Sequence, residues 1–192
     1  MEIDSILHEI REDYLKHFKK VIADIGEVDC LRPEEVMVKE CGTVALSGPI
    51  RLPKRRDITI INADESDVRE IIVKPEITFD FCRKEFLWKD KLKVIVSPFS
   101  WHECLVELSG LSQSSRWNPL KEWFDRWFNI EDRIEDCIFI GAAHEIKGPR
   151  VKGEKVEFAV DFGTSPVSAF HDFLDTLVAM GYNKVILGSS SS

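Results

Sequence analysis

No stretch of the 192 residues holds the roughly 18 consecutive apolar side chains that a membrane-crossing helix needs. No membrane partner is therefore expected. CxxC pairs are also missing. Cys30, Cys41, Cys82, Cys104 and Cys137 are odd in number and widely spread, which argues against a disulfide framework. The expectation is reduced, mostly buried thiols in a cytoplasmic protein. The opening Met1-Glu-Ile-Asp lacks a basic segment followed by an apolar one and does not read as a signal peptide.

Positive charge is scarce. Lys and Arg number 26 against 34 Asp and Glu, a formal net charge of -8. Phosphate recognition needs a concentrated basic face, so nucleic acid is not an expected partner. An acidic surface favours solubility, or fast capture of a basic protein. No internal repeat and no change of composition marks a linker. Residues 1–187 are read as a single domain, with Gly188 to Ser192 as a flexible Ser-rich tail.

What the chain does have is bulk. Hydrophobic residues make up 44% and include twelve Phe and five Trp, enough for a full core. Ile3, Ile6, Leu7, Ile10, Tyr14, Phe18, Val21, Ile22 and Ile25 recur at helical spacing. They predict one amphipathic helix from about Asp4 to Asp24, ended by Gly26, with Arg11, Lys16, Lys19 and Lys20 among its charged residues.

From Val36 to Leu108 the period changes to two, in short β-branched and aromatic runs separated by Gly, Pro, Asn and Asp. These predict mostly antiparallel strands, the first covering "EVMVKECGTVAL" and the last "WHECLVEL". "NPLKEWFDRWF" predicts a helix with Asn118 as cap, Pro119 at its first position and Leu120, Trp123, Phe124 and Trp127 on its apolar face. A strand at 137–146, a turn over 147–153 and a strand at 155–162 follow. A helix capped by Ser165 comes next, and "KVIL" ends the pattern as a strand. The fold class is α+β: a mainly antiparallel sheet packed by an N-terminal helix, a Trp-rich helix and a C-terminal helix in a strand–helix–strand unit.

"PFSWHEC" concentrates an imidazole, a carboxylate and a thiol within three positions. As a strand it turns His102 and Cys104 inward and Trp101 and Glu103 outward. Residues two apart on a strand are separated by about 6.6 Å, while a nucleophile–base pair needs about 3 Å. A Cys–His catalytic pair is therefore not expected. Zinc needs three or four converging ligands, and His144, inward-facing in "CIFIGAAHEI", is the third candidate beside His102 and Cys104. The preferred reading has no metal and no cofactor, with Cys104 as a core residue and His102 as a hydrogen-bonded histidine.

Asp161-Phe162-Gly163 matches the kinase magnesium motif in letters only, since no Gly-rich loop or HRD loop accompanies it. "DFGTSP" reads as a structural strand-to-helix turn. Arg51, Lys54, Arg55 and Arg56 form a basic loop without interleaved aromatics, a contact patch at most.

With no catalytic constellation in view, the leading reading is a non-catalytic, acidic protein-binding module. One version is an inhibitor or immunity-type protein covering a basic partner such as a toxin. Trp117 and Phe128 at the margins of the aromatic helix, rimmed by Glu131, Asp132, Glu135 and Asp136, are the expected partner-binding residues. Two alternatives stand beside it: a metal-dependent hydrolase using His102, Cys104 and His144, and a regulatory or structural subunit of a homo-oligomer assembled through the aromatic helix.

Overall fold

The computed structural model describes residues 2–26, 28, 30–61, 68–75, 80–109, 117–128, 138–153 and 155–189. Helix α1 (Glu2–Ile25) buries Ile6, Leu7, Ile10, Tyr14 and Phe18 along one stripe, as the helical spacing requires. Gly26, at φ +73°, ends it in a left-handed conformation open to glycine without a Cβ penalty. Arg11 departs from expectation: it lies on the buried stripe, only 8% exposed, instead of on the charged face.

Two sheets follow. The smaller has three antiparallel strands in chain order: β1 (Cys30–Pro33), β2 (Ile58–Ile61) and β3 (Val68–Ile71). Ile58, Thr59 and Ile60 of its central strand are all buried, so that strand is covered on both faces. The larger is built from β4 (Lys84–Trp88), β5 (Leu92–Val96), β6 (Cys104–Ser109), β7 (Glu145–Lys152), β8 (Lys155–Asp161) and β9 (Lys184–Gly188). Its spatial order is β4-β5-β9-β6-β8-β7, antiparallel throughout except for the β5–β9 pair. With helices α2 (Asn118–Phe128) and α3 (Val167–Ala179), this is an α+β fold with mainly antiparallel sheets. Strands β8 and β9 both run antiparallel to β6 between them. The closing strand–helix–strand unit therefore returns to the same sheet one strand away.

One core cluster draws on α1, both sheets, α2 and α3. Helix α2 contributes Leu120, Trp123, Phe124, Trp127 and Phe128, all buried. Trp123 packs at 5.2 Å from the Phe173 ring, edge-on to Phe162, and its indole N–H donates to the Ala169 carbonyl at 3.0 Å. That satisfied N–H is what lets so large a residue sit fully inside.

Several local expectations are corrected. The segment Val36–Leu46 is an arm held by isolated bridges, Val36 with Arg55 and Val38 with Val44, and no strand. Val38, Val44 and Leu46 are about half exposed. Trp101 and His102 lie in a tight turn closed by a bridge from Ser100 to Glu103, so the strand starts only at Cys104. The turn frees Trp101 from alternation and buries it completely.

From Cys104 onward the predicted inward face, Cys104, Val106 and Leu108, is buried. Residues 138–144 are irregular, and β7 begins at Glu145, running through the expected Gly-Pro turn with a register shift between Lys147 and Arg150. Ser165 does not cap α3. Pro166 is the N-cap, and the Ser165 hydroxyl donates to Phe162 O at 2.6 Å. Gly188 pairs with Leu105 and so belongs to β9, not to the tail. The thiols are not mostly buried: Cys104 is, but Cys41 and Cys82 are exposed, and Cys137 lies outside the described residues.

Candidate functional site

Where β1 ends, the chain turns at Glu34, which takes φ +54° and lies 1% exposed. Asp57 immediately precedes β2, His144 immediately precedes β7, and Asp161 closes β8. These four ends meet at the junction of the two sheets. His144 is held from both sides: Nδ1 is 2.9 Å from Asp57 Oδ1 and Nε2 is 2.9 Å from Glu34 Oε1. Its main-chain N–H donates to Asp161 O at 3.0 Å, which fixes the backbone beneath the ring.

Each carboxylate has further donors. Glu34 Oε2 accepts Ile140 N–H at 2.7 Å, and Oε1 accepts the Thr164 hydroxyl at 2.5 Å. Asp57 Oδ2 accepts Val73 N–H at 2.6 Å, and Asp161 Oδ1 accepts Gly163 N–H at 2.8 Å. Thr164 Oγ1 also accepts from the N–H groups of Gly141 and Ala142. Buried charges persist only when satisfied in this way.

Two arginines brace the rim through main-chain carbonyls. Arg11 donates to Ser165 O at 2.8 Å and Thr164 O at 3.0 Å, tying α1 to the turn before α3. Arg55 donates to the carbonyls of Glu34 and Phe128 at 2.7 Å each, with its guanidinium over the Phe128 ring. The basic loop is thus partly structural, with Arg55 turned inward.

Electrostatics follow from burial and pairing. Burial alone would lower the His144 pKa, but the hydrogen bonds to Asp57 and Glu34 and the charges of Asp161 and Asp57 raise it to about 10. Burial raises Asp161 to about 7, opposed by the imidazolium of His144 and reinforced by the charge of Asp57. Tyr14 is pushed up by burial first, then by the charges of Asp57, Asp161 and Glu34. Gly163 stacks so tightly on the ring that a Cβ there would lie 2.2 Å from His144 Cδ2 and 2.4 Å from Ala142 O.

The alternative ligand trio of His102, Cys104 and His144 is not assembled among the described residues. Among the described residues, the His, Cys, Asp and Glu side chains that converge are Asp57, His144 and Asp161. Cys104 is fully buried, and burial pushes its thiol up, away from the thiolate needed for a nucleophile or ligand. His102 is half-buried, hydrogen-bonded to Ser100 Oγ at 2.5 Å and stacked on Tyr14. Burial lowers its pKa.

Of the expected partner-binding residues, Phe128 is 2% exposed and belongs to the core, while Trp117 is half-buried against it. Glu131, Asp132, Glu135 and Asp136 lie outside the described residues. Sequence reading missed Arg11, Tyr14, Glu34, Asp57, Asp161 and Thr164. The available signal was His144 itself, since an inward histidine in an apolar segment must find polar partners.

A separate feature lies at the far end of α1. A groove of about 560 Å³ is lined by Val21, Asp24, Ile25, Val28, Ile60, Arg69 and Ile71, between the helix C-terminus and the three-stranded sheet. Among the described residues no helix is long and apolar enough to cross a membrane. Set against protein-family models, curated proteins and solved structures, the chain matches none of them.

Proposed function

We propose that the chain is a non-catalytic, acidic protein-binding module whose partner is a basic protein, in the manner of an inhibitor or immunity protein. The observation that carries this reading is where the polar chemistry sits. Glu34 and His144 are at most 1% exposed, so this imidazole is not open to a substrate. Those groups serve the fold, and recognition falls to the surface.

The groove beside α1 suits such recognition. Its floor is mainly aliphatic, from Val21, Ile25, Val28, Ile60 and Ile71. At its edge stand Asp24 and the carbonyl end of α1, whose last turn holds no basic residue. A helix C-terminus carries about half a negative charge, and a cationic side chain is its natural complement. Arg69 is the counterweight on the opposite wall. An aliphatic anchor flanked by Lys or Arg fits this chemistry, and the net charge of -8 speeds its approach. Glu131, Asp132, Glu135 and Asp136 are counted in that net charge.

The test is recovery of the tagged chain from its native source, followed by binding measurements with the purified partner. A one-to-one basic partner is expected, with an association rate that falls steeply as salt rises. An acidic partner, a salt-independent rate, or repeated recovery without a stoichiometric partner contradicts the reading.

A further inference from the structure

The cluster around His144 has an arrangement that hydrogen bonding within the fold does not exhaust. Glu34 stands behind the ring at Nε2 and is itself fixed by Ile140 N–H and the Thr164 hydroxyl. A carboxylate in that position selects the Nε2–H form, as the carboxylates behind metal-bound histidines do. On the other side of the ring Nδ1 lies 2.9 Å from Asp57 Oδ1. A proton joins the two atoms in the metal-free chain, and a cation that displaces it gains both as ligands. One ligand atom each from Asp57, His144 and Asp161 lies within 4.8 Å of the others, close enough for one cation to join all three after small side-chain rotations.

A second, independent observation points to the same place. The Tyr14 hydroxyl is fully buried and has no hydrogen-bond partner among the described residues. Burial first, and then the charges of Asp57, Asp161 and Glu34, raise its pKa, so the hydroxyl lies within electrostatic reach of the cluster. A buried hydroxyl left unpaired costs free energy that a ligand at its oxygen would recover. His102 closes over it, with the two rings stacked at 6.1 Å and 12°. Gly163 is the other wall, at φ +53°, where any side chain would strike the imidazole.

We propose that Asp57, Asp161 and Nδ1 of His144, with the Tyr14 hydroxyl as fourth donor and Glu34 orienting the ring, bind one divalent transition cation of the zinc class. Mixed imidazole and carboxylate donors suit zinc, and a buried four-donor site without room for substrate is of the structural kind. The cation takes the place of a proton shared between His144 and Asp57, and its two positive charges offset the Asp57 and Asp161 carboxylates. Its role is to lock the seam between the sheets, and it stands independently of the partner reading.

The experiment uses the full chain, stripped with a chelator, dialysed and titrated with Zn²⁺ alone. One zinc per chain and a higher melting temperature are expected. Asp161→Asn, at a partly exposed position, and Tyr14→Phe should each keep the near-UV spectrum of the fold, and Asp161→Asn should weaken zinc binding by about tenfold or more. Co²⁺ in place of zinc should give visible bands without a thiolate charge-transfer band, because no cysteine is in the donor set. Failure to bind zinc stoichiometrically overturns the proposal. So does zinc binding that Asp161→Asn leaves unchanged, or a cobalt spectrum carrying thiolate character.

Discussion

His144 and Glu34 are 110 residues apart in sequence, yet His144 Nε2 and Glu34 Oε1 meet at 2.9 Å with both residues sealed from solvent. With Asp57 on the opposite ring nitrogen, this contact fastens the end of β1, the start of β2 and the start of β7 at one point. Removing one partner strands the others in a low-dielectric interior, a loss of about 3–5 kcal/mol for a buried pair. His144→Leu is expected to lower stability by that order in urea unfolding, whereas exchanging an exposed pair such as Lys152 and Glu157 should change it by less than about 1 kcal/mol.

Gly163 is predicted to accept no side chain. Gly163→Ala combines a left-handed backbone with a Cβ 2.2 Å from the His144 ring. Strain and overpacking together should cost about 3 kcal/mol or more, read as a drop in the urea midpoint at unchanged slope. Full stability in this variant would mean that the ring does not lie against this glycine.

Stability should fall as pH rises, in the presence of chelator. His144 has a folded pKa raised to about 10. Its contribution is therefore complete below its ordinary value of about 6.5 and is lost as pH climbs through 10. Asp161 is raised to about 7, so the folded state holds a proton that the unfolded chain releases near pH 4. Its contribution also declines between those values. Both effects share a sign. Melting temperatures across pH 5 to 10 should decline, and His144→Leu should flatten the alkaline part of the profile.

Trp123 separates a core helix from an assembly surface. It is fully buried and donates to Ala169 O. Trp123→Ala should destabilise the isolated chain by about 3–5 kcal/mol, read by chemical unfolding. A stable variant that loses only self-association would restore the subunit reading.

Thiol reactivity should divide the cysteines. Cys41 is exposed, and hydrogen bonding from Thr43 lowers its pKa, so it should react with a thiol reagent in the native state. Buried Cys104, with its pKa pushed up, should stay unreacted until the chain unfolds.

Local pattern carried the elements well. The spacing of Ile6, Ile10, Tyr14 and Phe18 gives α1, and the alternation of Cys104, Val106 and Leu108 gives β6, because each buries one face against a continuous partner. It failed where tertiary contacts decide. Arg11 reads as a surface charge, but two carbonyls 153 and 154 residues away draw it inside. Trp101 reads as outward because the turn at Ser100–Glu103 is invisible in an alternating string. The site was the least legible part. Glu34, Asp57 and Asp161 sit in three ordinary polar breaks between apolar runs, and only the closing of two sheets brings them to His144.

The direct measurement of the central claim is the affinity of the purified partner for a chain carrying Asp24→Lys and Val28→Asp. Both residues line the groove, and both are exposed, so the melting temperature should barely move. The account predicts affinity weaker by about tenfold or more, with a shallower dependence on salt. Unchanged affinity in a folded double variant would contradict it.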